Sequence, residues 1–312
     1  MIRVRVPATT ANLGPGFDCM GLALDLWNHF ELHLGGETVT VETHGEGAGR
    51  LPTDARHLVA ATFMEEAAAQ GRPAPAGFRV VCHNGVPPAS GLGSSSTAIL
   101  AGVILAQAWL REGQDQDPAA VDSTTILERA TALEGHGDNV APALLGGFVI
   151  VVPDENGVIT RRMPMLEMKA VVCVPDFNYL TADARAALPS SYSKADAIHN
   201  IGRAMLVAEA LRSGDDALLA RTLSDRIHEP YRFPNIPGAE CAREAAREAG
   251  AIAVALSGAG PGVIAFAREG FDRIGRRMNR AFREAGLESR YWVLDASAEG
   301  ARIGRLPLNH AG

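Results

Sequence analysis

The chain has 312 residues, 47% of them apolar and 21% charged, which is the content of an ordinary soluble globular protein with room for two cored domains. A net charge of -7 with no Lys/Arg block argues against a nucleic-acid partner. Four scattered cysteines without a Cys-x-x-Cys pair read as free thiols, the densest apolar run (98–110) is too short for a bilayer and holds Gln107, and the alternating start is no signal peptide, so the expected place is the cytoplasm, away from a membrane.

In chain order, residues 3–7 read as a strand with Ile2, Val4 and Val6 on one face. Residues 8–21, rich in Gly, Pro and small polar side chains, read as a long loop, and such loops inside a compact domain are usually functional. A strand over 22–34 puts Phe30, Leu32 and Leu34 on one face. His29 and His33 on the other face stand about 13 Å apart on a strand, too far to share an ion, and read as a solvated face. A strand over 39–43, a turn over 45–49, a helix over 54–70 and a strand over 78–83 follow.

The strand leads into Pro87-Pro88-Ala89-Ser90-Gly91-Leu92-Gly93-Ser94-Ser95-Ser96-Thr97, and then into an apolar helix over 98–111. Two glycines flanking a leucine permit a tight backbone path. The serines open the helix, where unpaired N–H groups and the positive dipole end favour an anion, and where hydroxyls can reach a phosphate oxygen or a metal ion. That is the chemistry of a nucleotide-triphosphate cradle; the plainer reading is a capped turn before a buried helix. No lysine follows the glycines, so this is not a P-loop, and Ser96 stands where a dinucleotide fingerprint needs its third glycine.

After an acidic linker (113–118), a helix over 119–133 carries Glu128. The charged run Glu134-Gly135-His136-Gly137-Asp138-Asn139 then sits between two apolar segments, hard to explain as loop filler. A strand over 148–152, a hydrophilic hairpin over 153–157 and a strand over 159–163 bring the chain to a domain boundary near Pro164, giving domains 1–164 and 165–312. The second domain opens with a strand over 169–174 and a helix start with Thr181 as N-cap. Helices over 196–211 and 216–226 follow, His228 to Arg232 interrupts the helical pattern, and a helix over 238–249 resumes it. A strand over 252–256 runs into Ser257-Gly258-Ala259-Gly260-Pro261-Gly262 and a strand over 263–267; so little side chain lets a ligand or another backbone come close. A helix over 271–285 and a strand over 291–295 complete the pattern.

Four stretches, in order, resemble motifs of the GHMP kinases, and in particular of the branch that phosphorylates homoserine. They are Thr9 to Gly21, Pro87 to Thr97, His136-x-Asp138-Asn139-Val140-Ala141-Pro142, and Gly258-x-Gly260-Pro261. The resemblance implies an α/β (α+β) fold, with an N-terminal domain like ribosomal protein S5 and a ferredoxin-like C-terminal one. It implies ATP at Pro87 to Thr97, with the third-motif glycines Gly258 and Gly260 close by, and Mg²⁺ at Ser95 and Glu128. It further implies L-homoserine as acceptor, a step of threonine biosynthesis: Arg185 and Arg232 on its carboxylate, and Asn12, Asp18, His136, Asp138 and Thr181 around its other groups. Glu128, Asp138 and Asn139 would be the catalytic set, in a homodimer. Two departures stand out. Asn139 occupies a position where several relatives carry an aspartate base, which implies direct attack by the substrate hydroxyl. Gly262 replaces the usual Ser/Thr, which implies a looser third loop.

Overall fold

The apolar alternation at the start of the chain builds a long antiparallel pair, β1 (Ile2–Ala11) against β2 (Met20–Leu34). Ile2, Val4 and Val6 point into the core as expected. The computed structural model describes residues 1–304 apart from Asp115, Pro118 and Asn156. Parts of the acidic linker and of the 153–157 hairpin, and the last eight residues of the second-domain range, therefore lie outside the described residues.

Strand β2 also pairs with β4 (Phe78–Asn84), which pairs in parallel with β3 (Val39–Gly45). The other end of β2 pairs with β5 (Phe148–Asp154), and β5 with β6 (Gly157–Met163). Helices α1 (Leu58–Ala69), α2 (Ser94–Glu112), α3 (Ser123–Glu134) and the short α4 (Val140–Leu145) cover this sheet. Their apolar sides share one core with it, in which Phe30, Phe63, Phe78 and Leu100 are fully enclosed.

The second sheet has the order β10-β7-β9-β8, antiparallel throughout, with β7 (Lys169–Pro175), β8 (Ala253–Leu256), β9 (Val263–Ala267) and β10 (Ser289–Asp295). Between β7 and β8 run α5 (Thr181–Ala186), α6 (Lys194–Ser213), α7 (Asp216–Thr222), α8 (Glu229–Arg232) and α9 (Ala239–Glu248); α10 (Phe271–Glu284) joins β9 to β10. A β-α-β-β-α-β order with this pairing is ferredoxin-like. One face packs on α9 and α10 through Val171, Ala265, Ile274 and Phe282. The other face is cored with the first domain: Val172, Ile264 and Phe266 share a cluster with Leu22 and Leu24. The two domains thus meet through an apolar interface, and their sheets change over between Met163 and Lys169.

Several local readings change. Residues 8–11 are strand, not loop, because Ala8 to Ala11 pair with Leu24 to Gly21; their side chains are small and fully enclosed. The loop proper is shorter and is shaped by positive φ at Asn12, Leu13, Gly14 and Asp18. Helix α1 starts only at Leu58, since the Asp54 carboxylate accepts from the Arg56 amide and His57 caps the helix. Helix α3 starts at Ser123 behind an Asp122 cap. Thr181 is not an N-cap: Leu180 holds that place and Thr181 is the first helical residue. Helix α7 stops at Thr222. Helix α4 had no counterpart in the sequence reading, nor had β11 (Arg302–Gly304), which leaves the second domain and pairs with β1 of the first sheet.

No disulfide joins the four cysteines, and among the described residues no helix is long and apolar enough to cross a membrane.

Candidate active site

A cavity of about 300 Å³ lies where the two domains meet, lined by Asn12 and Asp18 from the β1–β2 loop, the start of α2, the segment after α3, α5, Arg232 and the Gly258–Gly260 turn. Each wall is set by a local feature of the sequence.

The first wall is the loop between β4 and α2. Gly91 (φ 78°) and Gly93 (φ 70°) take left-handed conformations, and neither has room for a side chain: a Cβ would stand 2.2 Å from the Ser257 carbonyl oxygen at Gly91 and 2.1 Å from Thr9 Oγ1 at Gly93. Helix α2 begins at Ser94 without a side-chain cap, so its first-turn N–H groups are free for an anion. Ala89, Ser90, Gly91, Gly93, Ser94, Ser95 and Ser96 line the cavity. Leu92 is a core residue, Pro87 and Pro88 line a neighbouring groove, and the Thr97 hydroxyl is engaged with the Ser94 carbonyl and the Asn28 amide. Ser90 likewise turns inward, its Oγ donating to the Pro87 carbonyl (2.7 Å) and accepting from the Leu92 amide.

The carboxylate that faces this loop is Glu134, not Glu128. Glu134 accepts from Ser96 Oγ (2.7 Å) and Ser95 Oγ (3.3 Å) and is nearly enclosed. Burial raises its pKa, against the pull of the Ser96 hydrogen bond and His136. Glu128 is exposed on α3, beside Gly157 of β6, and does not line the cavity. The reason is helical phase: six residues separate the two, which turns their side chains roughly 120° apart. Glu134 stood in the sequence two residues before His136, inside the charged run, and that proximity was the available signal.

His136 Nδ1 lies 2.9 Å from Asp138 Oδ1. Burial disfavours its charge, but the Asp138 hydrogen bond and the charges of Asp138 and Glu134 outweigh that and raise its pKa. Asn139 accepts from Thr9 Oγ1 (2.8 Å), and its Nδ2 lies 3.4 Å from Asp138 Oδ1. An amide so held has one N–H beyond the Asp138 contact and can take no proton as a base.

Across the cavity Asp18 holds Arg185 in a two-pronged pair at 2.8 and 3.0 Å, which raises the arginine's pKa further. Arg232 is different. It is 1% exposed, donates through Nε to the Ala184 carbonyl and through a terminal nitrogen to His228 Nδ1 (3.2 Å), and has no carboxylate within ion-pair distance among the described residues. Burial and the nearby Arg185 lower its pKa. The Phe17 ring lies under both guanidinium groups, 5.8 Å from Arg185 and 5.2 Å from Arg232. Asn12 donates to the Gly258 carbonyl and accepts from the Asp18 amide, and Thr181 lines the same side.

The glycine-rich turn closes the site by contact between backbones. Ser257 Oγ is shared between Gly91 O (2.7 Å) and Thr10 Oγ1 (3.0 Å), and the Gly258 amide donates to Ala11 O. Gly258 and Gly260 line the cavity. Gly262 does not loosen this turn: its own Cβ position is 2.5 Å from the Ser90 carbonyl oxygen, so glycine is what lets the turn seat against the backbone of the β4–α2 loop.

The profile of the GHMP kinases N terminal domain matches residues 56–147, and that of the GHMP kinases C terminal matches 207–284. A homoserine kinase of Moorella thermoacetica is 41% identical over 301 residues, covering 96% of this chain and 99% of the relative. One of Streptomyces avermitilis is 42% identical over 311 residues, covering 98% and 96%. The crystal structure of homoserine kinase from Cytophaga hutchinsonii superposes with a TM-score of 0.83 at 29% identity, covering 97% of both chains. The mevalonate kinase of L. major, at 15% identity and a TM-score of 0.71 over 95% and 96% of the chains, shares the fold. A cleft built from four sequence motifs, the two-domain fold that brings them together and this likeness along nearly the whole chain have one reading: the chain belongs to the GHMP kinases, among the homoserine kinases.

Proposed function

We propose that this chain transfers the γ-phosphoryl group of ATP to the side-chain hydroxyl of L-homoserine, giving O-phospho-L-homoserine in the path to threonine. The observation that carries the substrate class is Arg232, a buried cation that lines the cavity with no carboxylate within ion-pair distance among the described residues. A buried charge without a counter-ion is costly, and a ligand carboxylate removes that cost. Arg185, already paired with Asp18, adds positive field on the same side, and the carboxylates of Asp18 and Asp138 are within the cavity for an ammonium group.

Phosphoryl transfer needs positioned phosphates, neutralised charge and an aligned nucleophile, with little covalent help from the protein. The free N–H groups at the start of α2 and the hydroxyls of Ser94 to Ser96 supply the first. The residues fit Mg²⁺: Glu134 is an oxygen donor hydrogen-bonded to two serine hydroxyls, with His136 Nε2 at 4.0 Å, and Mg²⁺ takes a few such donors and completes its shell with phosphate and water. Glu134 and Ser95 would hold it, and there it would neutralise charge developing on the phosphates. Asn139 serves as a donor to the transferred group, and the substrate hydroxyl attacks in line without a strong base.

The test is ADP release with ATP and Mg²⁺ against L-homoserine, D-homoserine, mevalonate, shikimate and galactose. Turnover confined largely to L-homoserine supports the proposal. Turnover on a substrate without a carboxylate, with none on L-homoserine, overturns it.

A further inference from the structure

His228 is fully enclosed, and its two ring nitrogens have different partners. Nε2 faces the Gly14 carbonyl oxygen at 2.9 Å, an acceptor only, and so carries the proton. Nδ1 faces the terminal nitrogen of Arg232 at 3.2 Å, a donor only, and so presents a lone pair. The two partners together select one neutral tautomer; burial, with Arg232 beside it, holds the imidazole pKa down, although Asp225 lies 3.8 Å from Nε2. The ring is stacked on Phe17 (5.2 Å between centroids, 24° between planes), the same ring that lies under both arginines. Asp225 fixes the backbone, accepting from the amides of Ile227, His228 and Glu229.

We propose that His228 is a positioning and specificity-determining residue: it orients Arg232 as a neutral acceptor, and so leaves the full guanidinium charge for a substrate carboxylate. The usual way to fix a buried arginine is a carboxylate, the partner that the half-exposed Arg185 has in Asp18. A carboxylate at position 228 would hold Arg232 equally still and cancel the charge that selects the ligand. The neutral ring separates the two tasks. His228 does not itself line the cavity and acts through Arg232, which does.

This inference rests on the proposed substrate. The experiment compares wild type, His228→Gln and His228→Glu for KM of L-homoserine, KM of ATP, preference for L-homoserine over L-homoserine amide, and unfolding temperature. Activity of the wild type on L-homoserine is the first reading; its absence overturns the substrate assignment and with it this proposal. Given that activity, His228→Gln should raise KM for L-homoserine by about 10- to 100-fold, as expected for a displaced charge-assisted hydrogen bond, and move KM for ATP by less than about 2-fold. His228→Glu should lose the preference for the carboxylate over the amide while keeping an unfolding temperature near that of wild type. The proposal is overturned if His228→Glu keeps the wild-type preference, or if His228→Gln raises both KM values together with a lower unfolding temperature, since the role would then be structural. If His228→Glu does not fold, the KM split in His228→Gln decides, and an unchanged KM for L-homoserine overturns it.

Discussion

Replacing Gly262 with serine, the residue type that the resembling motifs carry, would put a Cβ 2.5 Å from the Ser90 carbonyl oxygen, where ordinary contact begins at 3.4 Å. Neither side can yield cheaply. The turn is closed by the Ser257 amide donating to Gly262 O (2.8 Å), and the β4–α2 loop is tied down by Ser257 Oγ on Gly91 O and by the Thr9 amide on Leu92 O. The obstacle is backbone on both sides, so the cost is that of overpacking, about 1–3 kcal/mol. Part of it falls on the loop that would hold the nucleotide: on the order of 1 kcal/mol there raises KM for ATP about 5-fold. Urea unfolding measures the stability loss, and steady-state kinetics at saturating L-homoserine measures KM for ATP. A Gly262→Ser protein as stable as wild type, with equal or tighter ATP binding, would refute the close-approach argument and restore the missing-hydroxyl one.

The assignment of the metal-side carboxylate separates two residues that look alike in sequence. Glu134→Gln should lower kcat/KM by on the order of 100-fold and shift the Mg²⁺ dependence of turnover to higher concentrations, whereas Glu128→Gln should stay near wild type; the reverse pattern would return the role to Glu128. Asn139→Leu should keep appreciable turnover, because a donor and not a base is lost, and complete loss with intact substrate binding would contradict that mechanism. Glu229 is enclosed at the start of α8, accepts from the Leu256 amide, and burial raises its pKa from 4.5 to about 8. The folded state therefore binds a proton that the unfolded chain has released, and this group's stabilisation is lost as pH rises from about 4.5 through about 8. Urea unfolding at about pH 5 and about pH 9 should show a smaller stability difference for Glu229→Gln than for wild type, and an equal difference would dismiss the linkage.

Sequence periodicity and turn chemistry settle what is local. The alternation at Ile2, Val4 and Val6, the glycines around Leu92, and the serines that open α2 each act within a few residues, so the strand, the tight loop and the anion-ready helix start were all legible. The crowding of Glu134, His136, Asp138 and Asn139 marked a candidate site in the sequence, and these residues do meet at one cavity with Asp18, Arg185 and Arg232. What the sequence left open depended on partners far along the chain. Residues 8–11 are strand because β2 pairs with them, and β11 exists only because β1 offers a free edge. The phase of α3 decides that Glu134 and not Glu128 meets Ser95 and Ser96, since rotation about a helix axis is fixed by what it packs on. Whether an arginine meets a counter-ion is likewise a tertiary fact: Arg185 and Arg232 are alike as letters, and only the placement of Asp18 and His228 gives one a carboxylate partner and the other a neutral acceptor. The local rules chose the parts, and long-range packing chose which of them carry charge into the cleft.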